Sequence, residues 1–182
     1  MSKAIGMVEY RTVSSGVTAA DAMVKSSDVE ILEAKTVCPG KYIVIIAGDV
    51  SAVRAAVDTA IYSHEKNLVN TFVLGNPHPS VLPAMHRNAK IEKVAALGMV
   101  ETYDATSIIM AADEAAKTAV VDLIELRVAR GMAGKSYMML TGDVSAVQAA
   151  IERAKDAVSD DGMYLDSTVI ANPDEQIRKR II

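Results

Sequence analysis

The chain has 182 residues, a formal net charge of −4 and 51% apolar side chains, enough for one domain or two small ones with real cores. The acidic balance argues against a nucleic-acid module, which carries a basic face, and no run approaches the ~18 apolar residues of a membrane span. The N-terminus has no charged region followed by an apolar core, so no secretory signal is expected; the single cysteine rules out an intramolecular disulfide and fits a reducing cytosol.

Ala4 to Tyr10 is short, apolar and rich in strand formers, which predicts a strand. Val17 to Ser26 predicts a helix, with Ala20, Met23 and Val24 at helical spacing and Asp21 and Lys25 at i, i+4. Val29 to Val37 reads as a second strand and Lys41 to Ala47 as a third. The Cys38-Pro39-Gly40 turn between them makes an antiparallel hairpin. Asp49 is placed to cap a helix with its carboxylate. That helix runs to about His64 and buries Val50, Val53, Val57, Ala60 and Ile61. Val69 to Leu74 is the fourth strand. Residues 76 to about 94 read as a join, with Pro77, Pro79 and Pro83 followed by the polar His86-Arg87-Asn88. The charged tail Glu175 to Arg180 reads as solvated.

From about Ala95 the pattern starts again. Gly48-Asp49-Val50-Ser51-Ala52-Val53 recurs as Gly142-Asp143-Val144-Ser145-Ala146-Val147, and Gly6-Met7-Val8-Glu9 as Gly98-Met99-Val100-Glu101. Ala19-Ala20-Asp21 returns as Ala111-Ala112-Asp113, Lys25 as Lys117, Gly40-Lys41 as Gly134-Lys135 and Asn76-Pro77 as Asn172-Pro173. Such ordered self-similarity means one unit duplicated in tandem. The second set of helices is predicted at Ile109 to Thr118 and Val144 to Val158. The expected architecture is α/β of the α+β, ferredoxin-like kind: two β-α-β-β-α-β domains, residues 1–90 and 91–182, each a four-stranded sheet with two helices on one face. One place does not repeat: Val37-Cys38-Pro39 faces Arg130-Gly131-Met132-Ala133.

Few residues point to chemistry. Gly131 to Ser136 ends like a phosphate-binding loop, but position 129 is Ala where the motif needs Gly, and a strand rather than a helix is expected after Lys135. His64, His78 and His86 show no metal-ligand spacing, and no Ser/His/Asp set suggests itself. Glu9 and Glu101, duplicated at matching strand positions, suggest a structural role. Lys25 and Lys117 are either ordinary helix-surface charges or a repeated contact edge. Cys38 is either a small buried hydrophobe or an exposed thiol that reacts or binds. One thiol cannot hold zinc or an iron–sulfur cluster by itself. Copies related by symmetry can converge several, and the Gly40 and Lys41 amides and the Lys41 charge would favour the thiolates.

The repeated Gly-Met-Val-Glu … Ala-Ala-Asp … Lys … Gly-Lys … Gly-Asp-Val-Ser-Ala-Val … Asn-Pro unit resembles the bacterial microcompartment (BMC) shell domain. The resemblance covers residues 4 to 88 and 96 to 178, in unpermuted order. It implies a pseudo-hexameric homotrimer that packs as a flat tile with other shell proteins, in a microcompartment shell in the cytoplasm. It places the axial pore at the hairpin turns, so Val37, Cys38, Pro39, Gly40, Lys41, Arg130, Gly131, Met132, Ala133 and Gly134 would line it. Lys35 to Lys41 is similar to the pore segment of tandem shell proteins that carry one [4Fe–4S] cluster per trimer at the threefold axis. That makes Cys38 the implied metal ligand, electron transfer across the shell the implied function, and a flavin/iron–sulfur reductase inside the compartment an implied partner. Neither nucleic acid, membrane nor a catalytic residue is implied. Lys25, Lys117, Asn76 and Asn172 fall at the family's tile edge, with Asn where single-domain members often carry Arg. Two alternatives stand beside this: a plain tile with a small-molecule pore and no cluster, and a duplicated small-ligand sensor on the same strand-helix order.

Overall fold

The computed structural model describes residues 4–181, so the outer limits expected at 1 and 182 lie outside them. The first repeat forms β1 (Ala4–Tyr10), α1 (Val13–Ser26), β2 (Val29–Val37), β3 (Lys41–Gly48), α2 (Val50–Ser63) and β4 (Leu68–Leu74). A short helix α3 (Val81–Met85) follows. The second repeat forms β5 (Ala96–Thr102), α4 (Ala105–Thr118), β6 (Val121–Arg127), β7 (Ser136–Gly142), α5 (Val144–Ser159) and β8 (Tyr164–Ile170), then α6 (Glu175–Ile181). Both sheets are antiparallel, with orders β2-β3-β1-β4 and β6-β7-β5-β8.

Two compact units result. One holds the chain up to Pro77 together with Ala129–Gly134; the other holds His78–Val128 and Lys135 onward. Compactness thus parts the chain before the 90/91 boundary read from sequence. The reason is packing: α3 lies on β6 and α4, with Val81 and Ala84 fully buried. The join read as irregular therefore contains a helix. Pro83 fits because it stands in the first turn, where its missing N–H would have no intrahelical partner.

In the first unit β1 is the middle of the core. Val8 and Tyr10, with Val44 and Ile46 from β3, pack under α1 and α2 through Ala19, Met23, Val53, Val57 and Ala60. Side chains alternate along a strand, so Ile5, Met7, Ile43 and Ile45 point to the other face, where they too are buried. The Tyr10 hydroxyl donates to the Ala60 carbonyl at 2.6 Å, so burying the ring strands no polar atom. The helices sit close because the central strand carries glycine beneath them. A Cβ on Gly6 would lie 2.7 Å from Val53, and one on Gly98 would lie 2.8 Å from Val147 and Ile151.

The two N-terminal helices begin one turn earlier than the periodicity predicts. Thr12 caps α1 by accepting the Ser15 N–H at 3.4 Å, and Asp104 caps α4 by accepting the Ser107 N–H at 3.1 Å. Ser14-Ser15-Gly16 is a poor helix sequence, yet Gly16 is needed, since a Cβ there would meet the Tyr42 ring at 2.4 Å. Asp49 does occupy the N-cap of α2, but its carboxylate makes no capping bond, and Asp143 behaves alike at α5. The tail read as solvated is helix α6. It buries no residue, although Ile181 rests against Val94, Leu97, Ile124 and Met139.

In the second unit a charged cluster ties the join to β6. Arg87, at φ 55°, donates to Glu125 Oε1 from Nε (2.8 Å) and Nη2 (2.6 Å). Arg127 donates to the same oxygen at 3.0 Å, and the Tyr137 hydroxyl to Oε2 at 2.8 Å. Burial first, and then the Glu125 carboxylate, push the Tyr137 phenol up to about 12. The folded value lies above that of the unfolded chain. Tyr137 therefore contributes its stability fully below pH about 10 and loses it as pH rises toward about 12. Tyr137→Phe should flatten this alkaline fall in the urea midpoint. Gly98→Ala, which forces a methyl into Val147 and Ile151, should lower stability by about 1–3 kcal/mol in denaturant titration.

Candidate functional site

The Cys38 turn is built from both repeats, since Ala129–Gly134 belongs to the same compact unit. The Cys38 N–H donates to the Ala129 carbonyl at 3.0 Å, and the Gly40 N–H closes the turn onto the Val37 carbonyl at 2.9 Å. The Cys38–Pro39 peptide is cis and Gly40 sits at φ 104°. The facing loop is a run of left-handed residues: Ala129 (φ 48°), Gly131 (φ 74°), Ala133 (φ 53°) and Gly134 (φ 92°). Gly134 is needed there twice over. Its φ favours glycine, and a Cβ would come within 3.2 Å of the Cys38 carbonyl, Pro39 Cδ and Lys41 Cε.

Cys38 itself is half-buried, which is more cover than a bare hairpin tip provides. Pro39, Gly40, Arg130, Gly131 and Ala133 are exposed, and Lys41 and Met132 are partly so. Val37 and Gly134, expected to line a pore, are buried within the unit. Ser136 opens strand β7, so no helix follows Lys135 and the phosphate-loop ending has no helix to serve it.

Beneath the turn Lys41 Nζ donates to Glu9 Oε1 at 2.5 Å. The Glu9 side chain is 0% exposed and that of Lys41 15%. The strand register explains the pair: Glu9 stands opposite Ile43 in β3, and Lys41 is two residues along on the same face. The Lys41 ammonium is thus paired with Glu9, and the Gly40 N–H with the Val37 carbonyl. The exposed cation of the two turns is Arg130.

The expected edge residues lie elsewhere. Lys25 and Lys117 are exposed at the ends of α1 and α4, each paired to the Asp one turn earlier, at 2.6 and 2.5 Å. Asn76 and Asn172 are exposed, and Asn172 Oδ1 accepts from Arg178 at 2.6 Å. The two aspartates differ sharply: Asp21 is 58% exposed and Asp113 1%. Asp113 also accepts the His78 N–H on Oδ1 at 2.7 Å. His78, Ser80 and Asp113 thus gather, with His78 Nδ1 2.7 Å from Ser80 Oγ, but Asp113 takes the histidine's backbone N–H and not its ring. Sequence reading missed this carboxylate because its partner is 35 residues away in the join. Among the described residues no group of three or more His, Cys, Asp or Glu is placed to hold a metal ion, and no helix is long and apolar enough to cross a membrane.

Two copies of one antiparallel unit, with the hairpin turns of both brought against a single cysteine, define a tandem-repeat scaffold. The BMC domain family matches residues 4–77 and 96–173, and the chain belongs to that family, whose shell proteins enclose compartments in the bacterial cytoplasm. It is 39% identical to the bacterial microcompartment shell protein PduT of Citrobacter freundii over 182 residues, all of this chain and 99% of that one. It is 34% identical to the carboxysome shell protein CcmK2 of Thermosynechococcus vestitus over 96 residues, 49% of this chain and 94% of that one. The crystal structure of a microcompartment protein from Desulfitobacterium hafniense superposes with a TM-score of 0.87 at 42% identity, covering 98% of this chain and 99% of that one.

Removing one partner of a buried ion pair exposes the other to the full desolvation cost. Lys41→Met should therefore lower stability by about 3 kcal/mol. Glu9→Gln combined with Lys41→Met should regain most of that loss, as measured by a double-mutant cycle in denaturant.

Proposed function

We propose that this chain is a homotrimeric shell tile in which three Cys38 thiolates, one from each copy, hold a [4Fe–4S] cluster on the trimer axis. The observation that carries this reading is the position of the sole cysteine. Cys38 sits half-exposed on the turn where the two repeats differ, among exposed Pro39, Gly40 and Gly131, and among the described residues no group of three or more His, Cys, Asp or Glu could hold a metal within one chain. A soft thiolate is the donor iron–sulfur clusters take, and one per chain demands assembly around an axis. The second repeat carries Arg130 to Gly134 in place of Cys-Pro, which accounts for three thiolates and not six.

The residues fit such a group in a particular way. Cys38 would supply the ligand. The Ala129 carbonyl holds the Cys38 backbone in place, and glycine at 134 lets the two turns close on each other. Arg130 is the cation left exposed to offset negative charge at the turns, since Lys41 is paired with Glu9. A bound cluster would supply one-electron exchange, serving a flavin/iron–sulfur reductase on the inner side, with other shell proteins as lateral neighbours. No catalytic turnover of an organic substrate is proposed.

Iron and acid-labile sulfide, measured on anaerobically reconstituted protein, should come to about four of each per three chains, with a paramagnetic signal on reduction. Cys38→Ser should abolish both and keep the trimer. A trimer binding no iron in either form would leave a plain pore-bearing tile.

A further inference from the structure

The two hairpin turns spend their backbone donors differently. In the turn that carries the thiol, the Cys38 N–H is bonded to the Ala129 carbonyl and the Gly40 N–H to the Val37 carbonyl. In the facing loop none of the N–H groups of Arg130, Gly131, Met132, Ala133 and Gly134 meets a protein acceptor among the described residues. Backbone donors are normally paired, and here a run of them is open. Left-handed Ala129, Gly131 and Ala133 alternate with Arg130 and Met132, which are not at positive φ. Alternation of this kind turns successive N–H groups toward one concave side, the form of cradle that holds anions and iron–sulfur groups. Alanine is disfavoured in the left-handed region, so the loop keeps its shape against the local preference of two of its residues. Arg130 is exposed and makes no ion pair among the described residues.

Thiol and donors are thus divided between the repeats: one turn carries the sulfur with its amides committed, the other carries open amides and a cation with no sulfur. The two lie against each other. The Ala129 carbonyl accepts the Cys38 N–H at 3.0 Å, and a Cβ on Gly134 would come within 3.2 Å of the Cys38 carbonyl. We infer that the second-repeat loop is the donor wall of the cluster proposed above: its open N–H groups hydrogen-bond cluster sulfur, Arg130 supplies positive charge, and together they raise the reduction potential. The inference rests on the cluster reading and gives the loop a role within it. On reduction one electron enters from an external one-electron donor, no bond forms or breaks, and the site gains one negative charge. Hydrogen bonds to sulfur and nearby positive charge favour that more negative state.

The test uses full-length protein reconstituted with iron and sulfide and titrated with dithionite. Arg130→Gln removes the charge, and Met132→Pro removes one N–H at a residue whose φ is not positive. Each should lower the midpoint potential while iron per chain stays at the parent value. Arg130→Lys should keep the parent potential, and the Arg130→Gln difference should shrink in high salt because the residue is exposed. Pulsed paramagnetic resonance of the reduced parent in deuterated water should show exchangeable deuterons coupled to the cluster, and fewer in Met132→Pro. Arg54→Gln, exposed on α2, controls for net charge and should leave the potential unchanged. Equal potentials in the parent, Arg130→Gln and Met132→Pro at equal iron would overturn the donor wall and leave the cluster reading standing. A drop in Arg54→Gln as large as that in Arg130→Gln would do the same. Where Met132→Pro loads no iron, Arg130→Gln and the deuteron signal of the parent decide. A parent protein that binds no iron would overturn the cluster reading and the donor wall with it.

Discussion

A fully buried carboxylate in the central strand of the first sheet fixes one end of the cysteine turn. Glu9 has no solvent exposure, and its counter-charge comes from the first residue of β3, directly after the cysteine turn. Burying a charge is costly unless it is paired, so Lys41 is held where Glu9 requires it. The Cys38-Pro39-Gly40 turn is thereby tied to the sheet at one end. At the other end it is tied to the loop from the second repeat through the Cys38 N–H and the Ala129 carbonyl. The ion pair therefore helps to fix the turn that carries the thiol. Arg130 is exposed on the facing loop.

Duplication gives the chain two nearly identical units but not two identical surroundings. Asp21 and Asp113 share sequence context, helix position and a lysine partner, yet one is open and the other almost sealed. Valine on the exposed stripe of α1 corresponds in the repeat to alanine and isoleucine in the covered stripe of α4. The covered stripe lies under α3 and the segment before it, whose His78 N–H binds Asp113. The same logic separates the turns. Cysteine stands in one repeat, whereas the other supplies a loop of left-handed residues to pack beside it.

Much was legible without coordinates. Strands β1 and β2 fall at the bounds read from the sequence, and the repeat carried the strand-helix order from one half to the other. The early starts of α1 and α4 were not legible. Gly16 reads as a helix breaker until Tyr42 is seen to require it, and Thr12 and Asp104 are caps that a late helix start hides. Asp49 and Asp143 show the converse, since both are good cap residues at the right position and neither side chain makes the bond. Helix α3 was lost among its prolines, because a first-turn proline and a loop proline look alike in sequence.

The sequence by itself determined the duplicated architecture, the paired strand and helix order, the family, and Cys38 as the singular side chain of the turn. These follow from local patterns and internal repetition, which need no knowledge of distant neighbours. Tertiary structure alone decided that Lys41 serves Glu9, that the Gly40 amide is spent within its own turn, that the second-repeat loop packs on Cys38, and that Asp113 is covered while Asp21 is not. Each of these depends on which groups compete for the same charge, amide or surface across tens of residues, and that competition is settled only when the chain has folded.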